Sequence, residues 1–299
     1  MHFFIINPAA GGKLKNVEKT ASHIRTIADS QGIEYDIYVT KGPMDACEKI
    51  KEIAPAYSDL RIYACGGDGT LNECVNGAAG LSNVSVTHFP CGTGNDFIKM
   101  FGSDSKLFHN LPALINGTRI PMDLIECNGR YSINICSVGI DACIGADVHK
   151  YSQIPIIGGA TGYVVSLFVN LIKGINFDFN IISGAFLKKA KYTLVCACNG
   201  QYYGGGFNPV PDARPDDGII DFLIVKAVSR LKFLKVVQKY ASGKYKELTD
   251  IITHVRGNHM EIKTDSNTVI NIDGEIITGK DIFIKMVSNG INFIFPKKD

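Results

Sequence analysis

Among the nine cysteines of this 299-residue chain, no two stand in a Cys-x-x-Cys pair. The closest, Cys196 and Cys198, alternate within a strand-like run and therefore point to one face of it. Zinc frameworks and disulfide scaffolds are set aside, and reduced, mostly structural thiols in a cytosolic protein are expected. Net charge is scarce as well. Lys and Arg number 31 against 29 Asp and Glu, and the resulting +2 is too little to argue for nucleic acid. No RNA-binding or zinc-finger signature occurs either, so no nucleic-acid partner is expected. Long hydrophobic runs are missing: the most apolar stretch, 160–172, is interrupted by Gly162, Ser166 and Asn170 and falls short of the roughly 20 residues that span a bilayer. No basic leader with a cleavage site precedes the first strand-like run. Repeats and low-complexity tracts are absent, and 45 % hydrophobic with 20 % charged residues is ordinary globular composition. The length permits two domains.

What is present is alternation. Strand-like runs at 3–6, 34–39, 60–65 and 84–89 alternate with helical stretches at 15–30, 44–53 and 70–79. This order predicts an α/β domain over 1–121 with a parallel sheet covered on both faces. Beyond Pro121, short β-rich runs at 132–137, 192–198, 219–225, 260–263, 269–272 and 282–286 are separated by Gly, Asn and Asp. Helices are expected at 160–172 and 230–240. The pattern predicts a β-rich antiparallel sandwich over 122–285. A last run at 292–295 is a candidate to return to the first domain, which 286–299 would then complete.

Ligands of parallel sheets bind beyond the carboxyl ends of the strands, and three loops with suitable chemistry follow strands one, three and four. Gly66-Gly67-Asp68-Gly69-Thr70 ends a strand and opens a helix, offering close backbone approach and N–H groups to phosphate. A bare carboxylate would repel polyphosphate, so Asp68 points to a metal ion, a sugar hydroxyl or a transferred proton. Asn7-Pro8-Ala9-Ala10-Gly11-Gly12-Lys13 adds backbone N–H groups and an ammonium. Gly92-Thr93-Gly94-Asn95-Asp96 supplies a second acid, and Asp68 with Asp96 could share Mg²⁺ on a nucleotide. Thr40, ending the second strand, is a weaker nucleotide contact. Each loop alone also serves as a plain strand–helix turn, with Asn95 or Asp96 as a helix cap. The run 274–281 nearly fits a P-loop, but it lacks the closing Ser or Thr and is followed by strand-like alternation, which excludes it.

These motifs resemble the diacylglycerol kinase catalytic-domain family. In order they are Asn7-Pro8 with its glycines, Gly66–Thr70, and Pro90-x-Gly92-Thr93-Gly94-Asn95-Asp96-Phe97. Asn199-Gly200-x-x-x-Gly204-Gly205-Gly206, Pro211-x-Ala213-x-x-Asp216-Asp217-Gly218-x-x-Asp221 and Asp273-Gly274-Glu275 complete the series. Over nearly its whole length the chain is similar to the soluble bacterial lipid kinases related to sphingosine kinases. The resemblance implies an NAD kinase/diacylglycerol kinase-like two-domain fold with the active site in the cleft between domains. It further implies ATP as donor, Mg²⁺, and a lipid hydroxyl as acceptor. By position, Asn7, Pro8, Ala9, Ala10, Gly11, Gly12, Lys13, Thr40, Gly66, Gly67, Asp68, Gly69, Thr70, Leu71, Asn72 and Thr93 would hold ATP. Asp68 and Asp96 would organise phosphates and metal through water, and Glu275 would be the general base. Asp217, with the carbonyls of Arg214 and Ile219, would hold a second, structural Mg²⁺. Two departures stand out: an extra glycine before Lys13, which leaves Lys13 and Lys15 as rival phosphate contacts, and Ile98-Lys99 where Ala-Arg is common, which would remove a basic contact.

Without the resemblance, Glu275 reads as a solvated acid after an Asp-Gly turn. Diacylglycerol, giving phosphatidic acid, is the leading acceptor, with phosphatidylglycerol or a sphingoid base as alternatives. An NAD kinase-like enzyme and a non-catalytic lipid or nucleotide sensor are rivals. Residues 226–246 hold seven basic residues and no acid, with Lys232, Lys235 and Lys239 on one helical face. That face is either a solvated surface or a peripheral contact with an anionic membrane. A cytoplasmic protein, peripheral at the membrane, is expected, and a homodimer is left open.

Overall fold

The computed structural model describes residues 1–10, 15–92, 94–152, 159–184 and 186–298. The chain divides into two compact units, Met1–Leu124 with Ser288–Asp299, and Ile125–Val287.

The first unit is built on β1 (His2–Ile6), α1 (Lys15–Ser30), β2 (Tyr35–Val39), α2 (Asp45–Ile53), β3 (Leu60–Gly66), α3 (Asp68–Ala78) and β4 (Val84–Pro90). After them come α4 (Asp96–Lys99), α5 (Leu111–Ile115) and the start of β5 (Thr118–Cys127). Parallel pairing runs β2-β1-β3-β4, with Ile6 opposite Val39 and Cys65, and Gly66 opposite Pro90. The apolar runs of β1 and β3 are buried along almost their whole length, as strands covered on both faces must be. On α1, Ala21, Ile24 and Ala28 form the buried stripe. The end of the last strand adds a fifth parallel neighbour, Asn292 opposite Ser85 and Phe293 opposite Val86. Phe293 and Phe295 pack edge-on against Phe97 and Phe101, with ring centroids 5.3 and 5.1 Å apart.

The second unit comprises the end of β5, β6 (Arg130–Ser132), β7 (Ile135–Gly139), α6 (Ile140–Ser152), α7 (Gly159–Lys173), β8 (Phe177–Ser183) and β9 (Phe186–Cys198). It continues with β10 (Ile220–Lys226), α8 (Arg230–Ala241), β11 (Ile252–Gly257), β12 (His259–Ile272) and most of β13 (Glu275–Phe295). All its described pairings are antiparallel. The long strands β9 and β12 each take β7 at one end and β8 at the other, so a sandwich closes around Cys136, Val138, Phe179, Ile181, Val195 and Ile262. A second apolar cluster, with Ile144, Leu171, Leu194, Leu223 and Tyr240, lies under α6, α7 and α8.

Several boundaries differ from expectation. The helix expected from residue 70 begins at Asp68 with Gly67 as its N-cap. The runs 260–263 and 269–272 are one strand, because a register shift between Lys263 and Thr268 absorbs the polar residues between them. Likewise 282–286 and 292–295 both lie in β13. The run 132–137 is broken between β6 and β7. The rejected P-loop segment begins a strand at Glu275, in agreement with its exclusion. All nine cysteines are free thiols, seven of them buried.

Candidate active site

The expected nucleotide loops that fall on described residues gather in the first unit, at the carboxyl ends of its parallel strands. Gly11, Gly12, Lys13 and Thr93 lie outside the described residues. Asn7, directly after β1, donates from Nδ2 to Thr70 Oγ1 at 3.0 Å, tying the first loop to the third strand's loop. Its Oδ1 accepts the Ala9 N–H at 2.9 Å, and its carbonyl accepts the Ala10 N–H at 3.1 Å, which folds Pro8, Ala9 and Ala10 into a tight turn. Thr40 is buried after β2, its N–H held by the Ile6 carbonyl at 3.0 Å.

Glycine is demanded at two places. A Cβ on Gly66 would stand 2.2 Å from Thr70 Oγ1, and one on Gly92 would stand 2.6 Å from the Gly67 Cα. The loops after β3 and β4 thus pack backbone against backbone. Leu71 and Asn72 turn buried side chains inward on α3, and the Leu71 N–H is taken by the Gly67 carbonyl at 3.1 Å.

Asp68 and Asp96 are brought together. Asp68 Oδ1 accepts the backbone N–H groups of Asp96 at 2.6 Å and Phe97 at 3.3 Å, so it caps the first turn of α4 from a different loop. Asp96 is buried, and its Oδ1 accepts from Lys99 Nζ at 2.5 Å. Lys99 is thus tied to the acid of its own loop. Between them Asn95 adopts φ 49°, its Nδ2 donating to the Gly92 carbonyl at 2.9 Å. Asn95 Oδ1 is buried without a partner among the described residues. Such an orphaned acceptor facing a phosphate-type loop suits a ligand donor or water.

A cavity of about 320 Å³ adjoins these loops, lined by Asn7, Ala10, Cys65, Phe89, Pro90 and Cys91 with Val17, Thr20 and His23 of α1. One contributor went unseen in the sequence. His88 is fully buried in β4, and its Nε2 bonds the Gly66 carbonyl at 3.0 Å. Burial lowers its pKa to about 4, so the ring is neutral and Nε2–H is the donor. The same carbonyl accepts the Cys91 and Gly92 N–H groups at 2.8 and 3.2 Å. A lone histidine in an apolar strand gives no sequence signal of this duty.

In the second unit, Glu275 is exposed at the start of β13, opposite Ile272. The turn before it is held by Asp273, at φ 51°, followed by Gly274 at φ 96°. Asp273 Oδ1 accepts from Ser132 Oγ at 2.6 Å and from the Ile135 N–H at 2.8 Å, and Oδ2 accepts the Ile133 N–H at 2.9 Å. This acid reads as an ordinary turn residue, yet it pins the Glu275 turn to the β6–β7 segment. In a separate turn, Asp217 Oδ1 accepts the Ile219 N–H at 3.1 Å and Oδ2 meets Arg256 at 2.9 Å. Arg256 also reaches Asp221 at 3.2 Å, and Arg214 forks onto Asp216.

Both expected cation positions offer the hard oxygen donors that Mg²⁺ takes. Asp68 and Asp96 are acids of adjoining loops, Asp68 bonded to the Asp96 backbone and Asp96 to Lys99, a donor set that suits an ion carried in on a nucleotide. At Asp217 both carboxylate oxygens are engaged, one by the Ile219 N–H and one by the half-exposed Arg256, so an ion there would have to displace Arg256. No cluster of three or more His, Cys, Asp or Glu side chains suited to a metal occurs among the described residues.

Parallel-strand loops of this kind, followed by an antiparallel sandwich, define a phosphotransferase architecture. The chain belongs to the diacylglycerol kinase catalytic-domain family: that domain's model matches residues 1–127, and the YegS C-terminal NAD kinase beta sandwich-like domain matches 134–294. A relative named "Putative lipid kinase" in Staphylococcus aureus strain MRSA252 is 25 % identical over 285 residues, covering 94 % of this chain and 93 % of its own. One with the same name in Staphylococcus epidermidis strain RP62A is 27 % identical over 249 residues, covering 83 % and 80 %. In solved structures, "a putative diacylglycerol kinase" from Bacillus anthracis superposes with TM-score 0.75 at 24 % identity, covering 98 % of this chain and 96 % of that one, which shows the fold.

Proposed function

We propose that this protein is an ATP-dependent lipid kinase that transfers the γ-phosphoryl group to a lipid hydroxyl, with diacylglycerol as acceptor and phosphatidic acid as product. The observation that carries the reading is the convergence of Asn7, Gly66–Thr70, Gly92 and Asp96 on one sheet edge, with Asp68 bonded to the backbone of Asp96.

In this reading the nucleotide lies along the glycine loops. The N-terminus of α3 meets phosphate charge, and the 320 Å³ cavity receives part of the nucleotide. Asp68 and Asp96 would hold Mg²⁺, which would supply charge neutralisation on the phosphates. Glu275 accepts the proton of the acceptor hydroxyl as its oxygen bonds to the γ-phosphorus and the bond to the β-phosphate oxygen breaks, releasing ADP. A general base of this kind contributes a factor of about 10²–10⁴. Asp273 keeps Glu275 in position. A second Mg²⁺ is proposed at Asp217 with the Arg214 and Ile219 carbonyls, stabilising that turn rather than touching the reaction.

The test is a lipid panel incubated with radiolabelled ATP and Mg²⁺, with products extracted into organic solvent. Label in phosphatidic acid supports the reading. Label confined to NAD or to no acceptor contradicts it.

A further inference from the structure

Four large apolar side chains of the second unit stand in solvent on two helices. Phe168 and Ile172 on α7 are 57 % and 78 % exposed, and Leu231 and Leu234 on α8 are 73 % and 44 % exposed. The two pairs are neighbours, because the Arg230 guanidinium at the start of α8 donates to the carbonyls of Leu171 and Ile172 at the end of α7. The inward sides of the same helices, through Leu167, Phe233 and Val236, line an apolar cavity of the second unit. Single exposed leucines need no explanation, but two adjoining apolar ridges do.

The charge beside these ridges selects their partner. Lys232 is bound to Asp250 at 2.6 Å, Lys173 to Asp147 at 2.9 Å and Lys239 to Glu247 at 3.0 Å. Arg230 and the exposed Lys235 make no ion pair with a carboxylate among the described residues, so the uncompensated charge at this face is positive. A second copy docking by twofold symmetry would bring these like charges together, which disfavours self-association. An anionic bilayer accepts both the apolar ridges and the positive rim.

We infer that the α7–α8 face is the surface by which this protein lies on an anionic membrane. Phe168, Ile172, Leu231 and Leu234 enter the boundary between headgroups and acyl chains, and Arg230 and Lys235 meet lipid phosphates. The inference rests on the proposal that the acceptor is a lipid. It replaces docking through a face of Lys232, Lys235 and Lys239, two of which are bound to carboxylates.

The chain contains no tryptophan, so the Leu231→Trp variant carries a single reporter. On addition of vesicles of equal parts phosphatidylcholine and phosphatidylglycerol, its emission moves to shorter wavelength and becomes shielded from iodide. Phe283→Trp, at another exposed apolar site, stays unchanged. In vesicle sedimentation the Leu231→Gln/Leu234→Gln double variant loses at least about tenfold in partition. Lys235→Gln loses about fivefold and depends less on salt. Phosphorylation of a water-soluble short-chain diacylglycerol remains at the wild-type rate in all these variants. If no lipid is phosphorylated while the vesicle readouts hold, the kinase reading fails and the docking face stands. Unshifted Leu231→Trp emission, or wild-type partition of the double variant, overturns the inference. So does a wild-type dimer that the double variant converts to monomer with partition unchanged.

Discussion

Asp68 Oδ1 lies 2.6 Å from the backbone nitrogen of Asp96, so the acid of one glycine loop holds the start of the helix that follows the other. Charge and hydrogen-bond acceptance can be separated at this point. Asp68→Asn keeps an acceptor oxygen for the Asp96 N–H, whereas Asp68→Ala leaves that donor without it. Urea unfolding should show a loss of about 1–3 kcal/mol for Asp68→Ala and less for Asp68→Asn. Turnover should fall at least about 10²-fold in both, since both lose the carboxylate charge proposed to hold the nucleotide's cation.

Asp273 is the corresponding support for Glu275. Replacing it with Asn puts an NH₂ group among the Ile133, Ile135 and Ser132 donors, at a cost of about 1–3 kcal/mol. Steady-state kinetics should show a fall in kcat with KM for ATP unchanged. A change in KM for ATP alone would place Asp273 outside the support of the base.

His88 makes stability depend on pH. Its folded pKa, about 4, lies below the ordinary value of 6.5, so the unfolded chain binds a proton that the folded one refuses. The stability is fully present above pH 6.5 and is lost as pH falls toward 4, by up to roughly 3 kcal/mol. His88→Gln keeps a donor for the Gly66 carbonyl and should flatten this part of the profile. His2, whose pKa burial also lowers to about 4, contributes equally to both proteins and drops out of the difference. Chemical unfolding from pH 4 to 7 checks this.

At Asp217, Arg256 would compete with the proposed cation. Arg256→Ala removes one positive charge next to the carboxylate and should raise Mg²⁺ affinity in nucleotide-free protein by about tenfold. Calorimetric titration, with Asp217→Asn as the control that abolishes the added binding, reads this out. Lower affinity in Arg256→Ala would make the arginine part of the cation site instead.

The α/β half was legible because its signals are local. Apolar β1 and β3 are buried on both faces, and glycine clusters mark the strand ends where Gly66 must approach Thr70. The sandwich was legible as a class but less so in its boundaries. β12 continues through Thr264, Asp265 and Ser266, which separate two expected runs, because a register shift absorbs them. β13 likewise runs on through Asn289 at φ 51°. The supporting residues were not legible, since their roles depend on distant partners. Asp273 meets Ser132, His88 meets Gly66, and Lys99 meets an aspartate whose loop geometry Asp68 fixes. The ion pairs of the α8 lysines were not legible for the same reason: Asp250 and Glu247 return to that face from beyond the helix.

The central claim is phosphoryl transfer with Glu275 as base. The most direct measurement is single-turnover transfer of label from ATP to extracted diacylglycerol by wild type and Glu275→Gln, alongside ATP binding by both. The account predicts labelled phosphatidic acid from the wild type, a loss of at least about 10²-fold in Glu275→Gln, and equal ATP affinity. A near-normal transfer rate in Glu275→Gln, or no labelled lipid from the wild type, would contradict it.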